Sequence, residues 1–262
     1  MKRRTFLSAT ALAGVAPLST MTAAIPAGAD REYYELRQYQ LLNFAKAQPL
    51  NDYLRAAALP AYNRLGIEPV GVFTAKYGPT LPTLYMLLPY PSLESFATAD
   101  SRLLKDNKYL KAGAEFLNRS LADPGYVRVE SSLMVAFEGI PKMELPKATM
   151  AKTSRVYELR IYESHSKRAA KLKIDMFNDG GEIEIFRKTG LQPVLFGETL
   201  IGPKMPNLAY LLAFDDMTAR DKNWNDFVSH PEWQRLSQVE EYKGTVSNIT
   251  DVILTPTTYS QL

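Results

Sequence analysis

The 262-residue chain contains no cysteine, which removes disulfides, thiolate metal sites and cysteine nucleophiles together. Histidine is nearly as scarce, with two in the chain. Neither His165 nor His230 belongs to an H-x-H or H-E-x-x-H spacing, so no metal motif is present. A surface or capping role is expected for each. G-x-S-x-G, the P-loop and the dinucleotide fingerprint are also missing, leaving hydrolase, NTPase and Rossmann dehydrogenase readings without a motif. No stretch supplies ~20 consecutive apolar residues. Residues 1–29 hold no acid but carry Lys2, Arg3 and Arg4, which account for the whole formal charge of +3. Beyond them, 28 acidic side chains face an equal number of basic ones. A neutral chain has no global field drawing it to nucleic acid or anionic lipid, so neither partner is expected. What the chain does have is an ordinary globular balance, with 46% hydrophobic, 23% charged and 11% aromatic residues.

The N-terminus reads as an address. Lys2-Arg3-Arg4-Thr5-Phe6-Leu7-Ser8 resembles the twin-arginine export motif, and the apolar stretch Phe6–Val15 is short and interrupted by Gly14. Ala27-Gly28-Ala29 fits an A-x-A cleavage site, so the mature protein is expected to begin near Asp30. Residues 1–29 are therefore read as a signal peptide. The product is expected to be periplasmic or extracellular, with no membrane attachment once the signal is removed.

The remainder is one unit written twice. Tyr34-Glu35-Leu36-Arg37-Gln38-Tyr39 returns as Tyr157-Glu158-Leu159-Arg160-Ile161-Tyr162 after 123 residues. Gly66-Ile67-Glu68-Pro69-Val70 returns as Gly190-Leu191-Gln192-Pro193-Val194, and Pro82-Thr83-Leu84 as Pro206-Asn207-Leu208, both after 124 residues. Tyr109 then falls opposite Trp233. Ordered landmarks at a nearly constant shift indicate duplication. The halves are assigned to 30–138 and 154–262, joined by a linker at 139–153 that holds Pro141, Pro146 and scattered lysines.

Each half has the same order of elements. An alternating strand opens it, near 32–40 and 155–163. A helical stretch follows, marked by Leu50, Leu54, Ala57, Ala61 and Leu65 and ended by Gly66, with a kink expected at Pro60. Strands are expected at 68–77 and 82–90, and at 192–199 and 206–214. A second helical region comes next, with a capping box at Ser229-His230-Pro231-Glu232. Closing strands are placed near 126–137 and 247–255. The order β-α-β-β-α-β is the ferredoxin-like split βαβ unit, which makes the fold class α+β.

The two Tyr-Glu-Leu-Arg-x-Tyr strands, with Pro231-Glu232-Trp233 late in the second copy, resemble the NIPSNAP family across the whole of both halves. The second copy is the closer match, since Gln38 and Tyr109 depart from the pattern in the first. That resemblance implies a dimeric α/β-barrel architecture, in which two ferredoxin-like sheets pack face to face and a fused pair closes the barrel within one chain. Relatives in the broader group include cofactor-independent monooxygenases and haem-handling proteins. The family itself implies no particular reaction.

Strand alternation puts Glu35, Arg37 and Tyr39 on one face and Tyr34, Leu36 and Gln38 on the other, with Glu158, Arg160 and Tyr162 opposing Tyr157, Leu159 and Ile161. The apolar set is expected under the helices and the Glu-Arg-Tyr stripe toward the facing sheet. Buried charges must pair or coordinate something. One reading makes the six residues a cavity wall, with Arg binding an anion or carbonyl, Tyr donating a hydrogen bond and Glu orienting or accepting a proton. The other makes them ion pairs that fix how the sheets meet. Phe73, Tyr77, Tyr85, Tyr90, Phe196, Tyr210 and Phe214 are candidates to line the interior, their facing undecided.

The favoured function is binding of a small molecule in an inter-sheet barrel cavity, with no cofactor. The alternatives are a cofactor-independent monooxygenase or related oxidoreductase and a non-catalytic interaction module, in a monomer or homo-oligomer.

Overall fold

The computed structural model describes residues 31–80, 82–151 and 155–262. The expected signal peptide, the end of the linker and the first residue of the second half lie outside them. In the first half, β1 (Tyr33–Gln40) leads to α1 (Ala47–Tyr53) and α2 (Leu59–Arg64), then β2 (Gly71–Tyr77), β3 (Thr83–Tyr90), α3 (Leu93–Leu103), α4 (Asn107–Leu117) and β4 (Arg128–Ala136). After a short connecting helix, α5 (Lys147–Met150), the order repeats. The second half runs β5 (Val156–Glu163), α6 (Lys167–Asn178), α7 (Glu182–Lys188), β6 (Gln192–Ile201), β7 (Asn207–Phe214), α8 (Met217–Ser229), α9 (Pro231–Leu236) and β8 (Asn248–Pro256).

The eight strands form one closed barrel in the order β1-β3-β2-β8-β5-β7-β6-β4. Every neighbouring pair is antiparallel. Two seams join the halves, β2 with β8 and β4 with β6. Closure leaves no free sheet edge, the usual weak point of an antiparallel sheet. The helices pack outside, each half covering its own sheet over a separate core.

Local chemistry sets the helix limits. Ser92, Ser166 and Asp216 each accept a hydrogen bond from the backbone three residues on, as N-caps do. The helix containing Pro60 does not break. Between α1 and α2 the chain widens into a π-helical turn at Leu54–Ala58, so the proline is accommodated by a local change of winding. The expected Ser229 capping box is corrected. His230 caps α9 by accepting from the Glu232 N–H, while the Ser229 hydroxyl donates to the Asn225 carbonyl at the end of α8.

The facing of the opening strands is the reverse of the sequence expectation. Tyr34, Leu36, Tyr157 and Leu159 lie between the sheets, in a core shared with Phe73, Tyr85, Met134, Leu195, Leu211 and Leu254. Tyr39 and Tyr162 belong to the outer cores under the helices, so Glu35, Arg37 and their counterparts share that side. Charge is better tolerated there. The packed centre of the barrel offers no polar partners, whereas the outer face is met by helix side chains and opens to solvent at its margin. The strand aromatics divide accordingly: Phe73 and Tyr85 go inward, Tyr90, Phe196, Tyr210 and Phe214 outward under the helices, and Tyr77 stays exposed. In the second half the outer core is a lattice of rings, with Phe186 edge-on to Phe177, Phe227 and Trp224. Such contacts contribute about 0.5–1.5 kcal/mol each beyond burial.

Candidate functional site

In the first half β1 projects Glu35, Arg37 and Tyr39 toward the helices. Glu35 is buried, and three neighbours satisfy it. Arg37 Nε donates to Oε1 at 2.5 Å, the Ser131 hydroxyl to Oε1 at 2.7 Å, and the Tyr90 hydroxyl to Oε2 at 2.9 Å. Arg37 also donates from Nη1 to the Tyr62 hydroxyl at 2.8 Å, and its Nη2 reaches the exposed Asp100 carboxylate at 3.5 Å. Burial works against the Arg37 charge, but Tyr62 and Glu35 outweigh it and hold the guanidinium protonated more firmly than usual. Burial likewise pushes the Tyr39, Tyr62 and Tyr90 phenols upward, so all three act as neutral groups.

Beside Arg37 the surface opens into a cleft of about 450 Å³ between β1, β4 and helices α3 and α4. Its wall is aromatic. Tyr39 meets Tyr126 edge-on with ring centres 5.6 Å apart, Tyr53 stacks on Phe116 at 4.4 Å, and the Tyr53 and Tyr109 hydroxyls are hydrogen-bonded at 2.6 Å. Such an arrangement can hold a molecule whose flat or apolar body meets rings while one oxygen meets the outer guanidinium nitrogen.

The second half has the same stripe and a filled cleft. Arg160 Nη1 donates to Glu158 Oε1 at 3.0 Å. From α8, Arg220 donates through Nε to Glu158 Oε2 at 2.8 Å and through Nη2 to Oε1 at 2.9 Å, and the Trp224 indole N–H donates to Oε2 at 2.7 Å. The Trp224 ring lies 4.6 Å from the Arg160 guanidinium. Burial alone would push Glu158 up, but Arg220, Trp224 and Arg160 hold it below the usual carboxylate range. On the neighbouring strand, burial and Glu158 push Asp251 up to about 6, against the pull of Arg160 and Arg220.

The 124-residue shift aligns Arg220 with Phe96 and Trp224 with Asp100. Strand register aligns Asp251 with Ser131, since Arg160 faces Asp251 as Arg37 faces Ser131. In the first half, Tyr90 and Ser131 on the sheet supply donors to the glutamate, and the helices bring Tyr62 and the exposed Asp100 to the arginine but no ring at the Trp224 position. Arg220, Trp224, Asp100 and Ser131 belong to no motif, and the mismatch between the copies at these positions is the one sequence signal that marks them.

The inter-sheet space differs from the expected cavity. Its centre is packed, with a void of about 10 Å³ among Leu36, Phe73, Leu159 and Leu211. At one end a polar chamber of about 150 Å³ lies between Gln38, Tyr85, Glu130 and Ser132 of the first half and Ile161 and Ala209 of the second. Burial, with help from Glu130, pushes the Tyr85 phenol up to about 12. None of the six stripe residues lines it. Among the described residues no group of three or more His, Asp or Glu side chains converges to hold a metal ion. Nor is any helix among them long and apolar enough to cross a membrane.

Comparison with known proteins agrees with this architecture. A candidate monooxygenase from Fusobacterium nucleatum superposes with a TM-score of 0.53 at 11% identity, covering 87% of this chain and 94% of its own. An anthrone oxidase-like protein gives 0.51 at 10% identity, covering 87% and 92%. A NIPSNAP-like domain protein from Burkholderia xenovorans is 23% identical over 40% of this chain and 88% of its own, with a TM-score of 0.37. No curated protein matches. The NIPSNAP family model matches twice, over residues 34–137 and 157–261. Together those spans take in both sheets with their helices, and the chain belongs to the NIPSNAP family as a tandem of two such domains.

Proposed function

We propose that the protein binds a small organic molecule in the first-half cleft, with Arg37 as polar anchor, Tyr39 in the wall and Glu35 holding the arginine in place. One observation carries this reading. The duplicated stripe is covered by Arg220 and Trp224 in the second half and left open beside Arg37 in the first. We assign Glu158, Arg160 and Tyr162 to holding the second half together. Native mass spectrometry of protein purified from its own compartment tests the reading. A retained molecule is expected in the wild type and in Arg160→Ala but not in Arg37→Ala. Retention by folded Arg37→Ala would overturn it.

An oxidoreductase is the second reading. In its favour, Arg37 would stabilise the phenolate or enolate of an electron-rich substrate in a ring-lined cleft. The similar barrels include a candidate monooxygenase and an anthrone oxidase-like protein. Dioxygen uptake with quinols that disappears in Arg37→Ala would support it, and no uptake across a broad panel of electron-rich aromatics would count against it. An interaction module has the packed barrel centre and the exposed Leu42, Phe44 and Leu121 in its favour. A wild type that retains no small molecule but elutes with a protein partner would select that reading. Export by the twin-arginine route remains part of the proposal, supported by Arg3-Arg4 and Ala27-Gly28-Ala29. An N-terminus near Asp30 on protein from the periplasm or medium is the expected result, and Met1 retained there would refute it. Barrel closure within one chain supports a monomer, which light scattering would check.

A further inference from the structure

The second half shows what fits against the arginine of the stripe. The two halves are copies, their opening strands hold the same Glu-Arg-Tyr series, and α3 and α8 start at equivalent positions on equivalent caps, Ser92 and Asp216. In the second half the position beside Arg160 is taken by a planar fused ring, the Trp224 indole, lying against the guanidinium at 4.6 Å. A delocalised planar cation favours such a partner, because ring and guanidinium stack face to face while the nitrogens stay free to bond at the edge. In the first half Asp100 stands where Trp224 stands, a short side chain that is 76% exposed and lines the cleft, reaching Arg37 only at 3.5 Å.

We propose that the first-half cleft takes a planar fused-ring aromatic carrying an acidic or carbonyl oxygen, its ring lying on Arg37 in the place that Trp224 holds on Arg160. This rests on the binding reading above and adds the ligand class. Three features fit it. The cleft is about 450 Å³ and walled by Tyr53, Tyr109, Phe116 and Tyr126, which offer ring faces and edges. Glu35 already receives donors from Arg37, Tyr90 and Ser131, so the ligand need not bring the N–H that Trp224 brings to Glu158. Arg37 Nη2 spends its bond on an exposed carboxylate at 3.5 Å, a long contact that a ligand oxygen displaces at little cost.

The test is calorimetric titration of the purified chain, freed of retained ligand, with 2-naphthoate and with cyclohexanecarboxylate, which keeps the carboxylate but is not planar. The wild type is expected to bind 2-naphthoate at least tenfold more tightly. Arg37→Lys, which keeps the charge and loses the flat surface, is expected to remove that preference. Asp100→Trp is expected to rebuild the second half's filling, abolishing 2-naphthoate binding while leaving the melting temperature unchanged or higher. Should Asp100→Trp not fold, Asp100→Phe serves the same purpose. Equal affinity for the two acids, lost together in Arg37→Ala, would overturn the aromatic class while sparing the binding site. Binding of 2-naphthoate that survives both Arg37→Ala and Asp100→Trp would place it elsewhere and overturn both. No binding of 2-naphthoate by a wild type that retains a non-aromatic molecule in an Arg37-dependent way would overturn the class alone.

Discussion

Asp251 shows how much one carboxylate can depend on its neighbours. It faces Glu158 across two arginines, with Arg220 Nη2 at 3.4 Å and Arg160 Nη1 at 3.8 Å. Burial and the nearby Glu158 raise its folded pKa to about 6, above the ordinary value of about 4 in an unfolded chain. The folded state therefore holds the proton more tightly, and this group's contribution to stability is lost as pH rises from about 4 to about 6. Glu158 works in the opposite sense, because its folded pKa is lowered and its contribution is lost only as pH falls through that lower value. Thermal melts of the wild type and Asp251→Asn at pH 4, 5 and 6 separate the two. The wild type is expected to lose ground to the variant across that window, and parallel curves would contradict the assignment. Water screens a side chain that is 37% exposed, so the difference should be smaller than full burial would give. None of this was visible in sequence. Alternation shows that Glu158 and Arg160 share a face, but not that a second strand and a distant helix bring Asp251 and Arg220 to the same carboxylate.

Among the elements, the strands were the most legible and their facing the least. A repeat shifted by 123–124 residues, with one pattern of strands and helices in each copy, was enough for the β-α-β-β-α-β order. Period-two alternation defines two faces but does not say which is dry, and here the stripe with more charge lies under the helices. Helix winding was half legible: Pro60 marked the disturbed turn, but relief by π winding depends on packing the sequence does not display. The barrel centre makes a sharper demand. Gly197 on β6 occupies the register of Phe73 on β2, and a Cβ there would stand 2.9 Å from the Met134 Cβ. A ring from one half thus projects where the other half has none, and Met134 fills the space beside the glycine. Gly197→Ala is expected to cost about 1–3 kcal/mol through overpacking, seen as a lower urea midpoint with an unchanged slope. An unchanged midpoint would mean that β6 and Met134 can move apart freely.

At the scale of the molecule, the halves share too much to unfold separately. The inter-sheet core takes Tyr34, Leu36 and Phe73 from one and Tyr157, Leu159 and Leu211 from the other. The segment after β8 returns to the first half. Gln261 exchanges hydrogen bonds with Val70 at 2.6 and 3.0 Å, the Val72 N–H donates to the Ser260 hydroxyl at 2.9 Å, and Leu262 is buried in the shared core. A single calorimetric transition is expected, with equal calorimetric and van't Hoff enthalpies. Two resolved transitions would show that the seams are weaker than the outer cores.

A duplicated fold with one copy sealed also bears on which positions can be changed. With Arg220 and Trp224 bolted onto Glu158, one twin serves as the keystone, and removing either would leave a buried carboxylate short of a donor. Its sibling balances its own glutamate from the sheet, so changes in the facing helices can reshape the cleft beside Arg37 without leaving that carboxylate unpaired. A lone domain would have to supply both the keystone and the open cleft with one set of side chains; here the two fall to different residues.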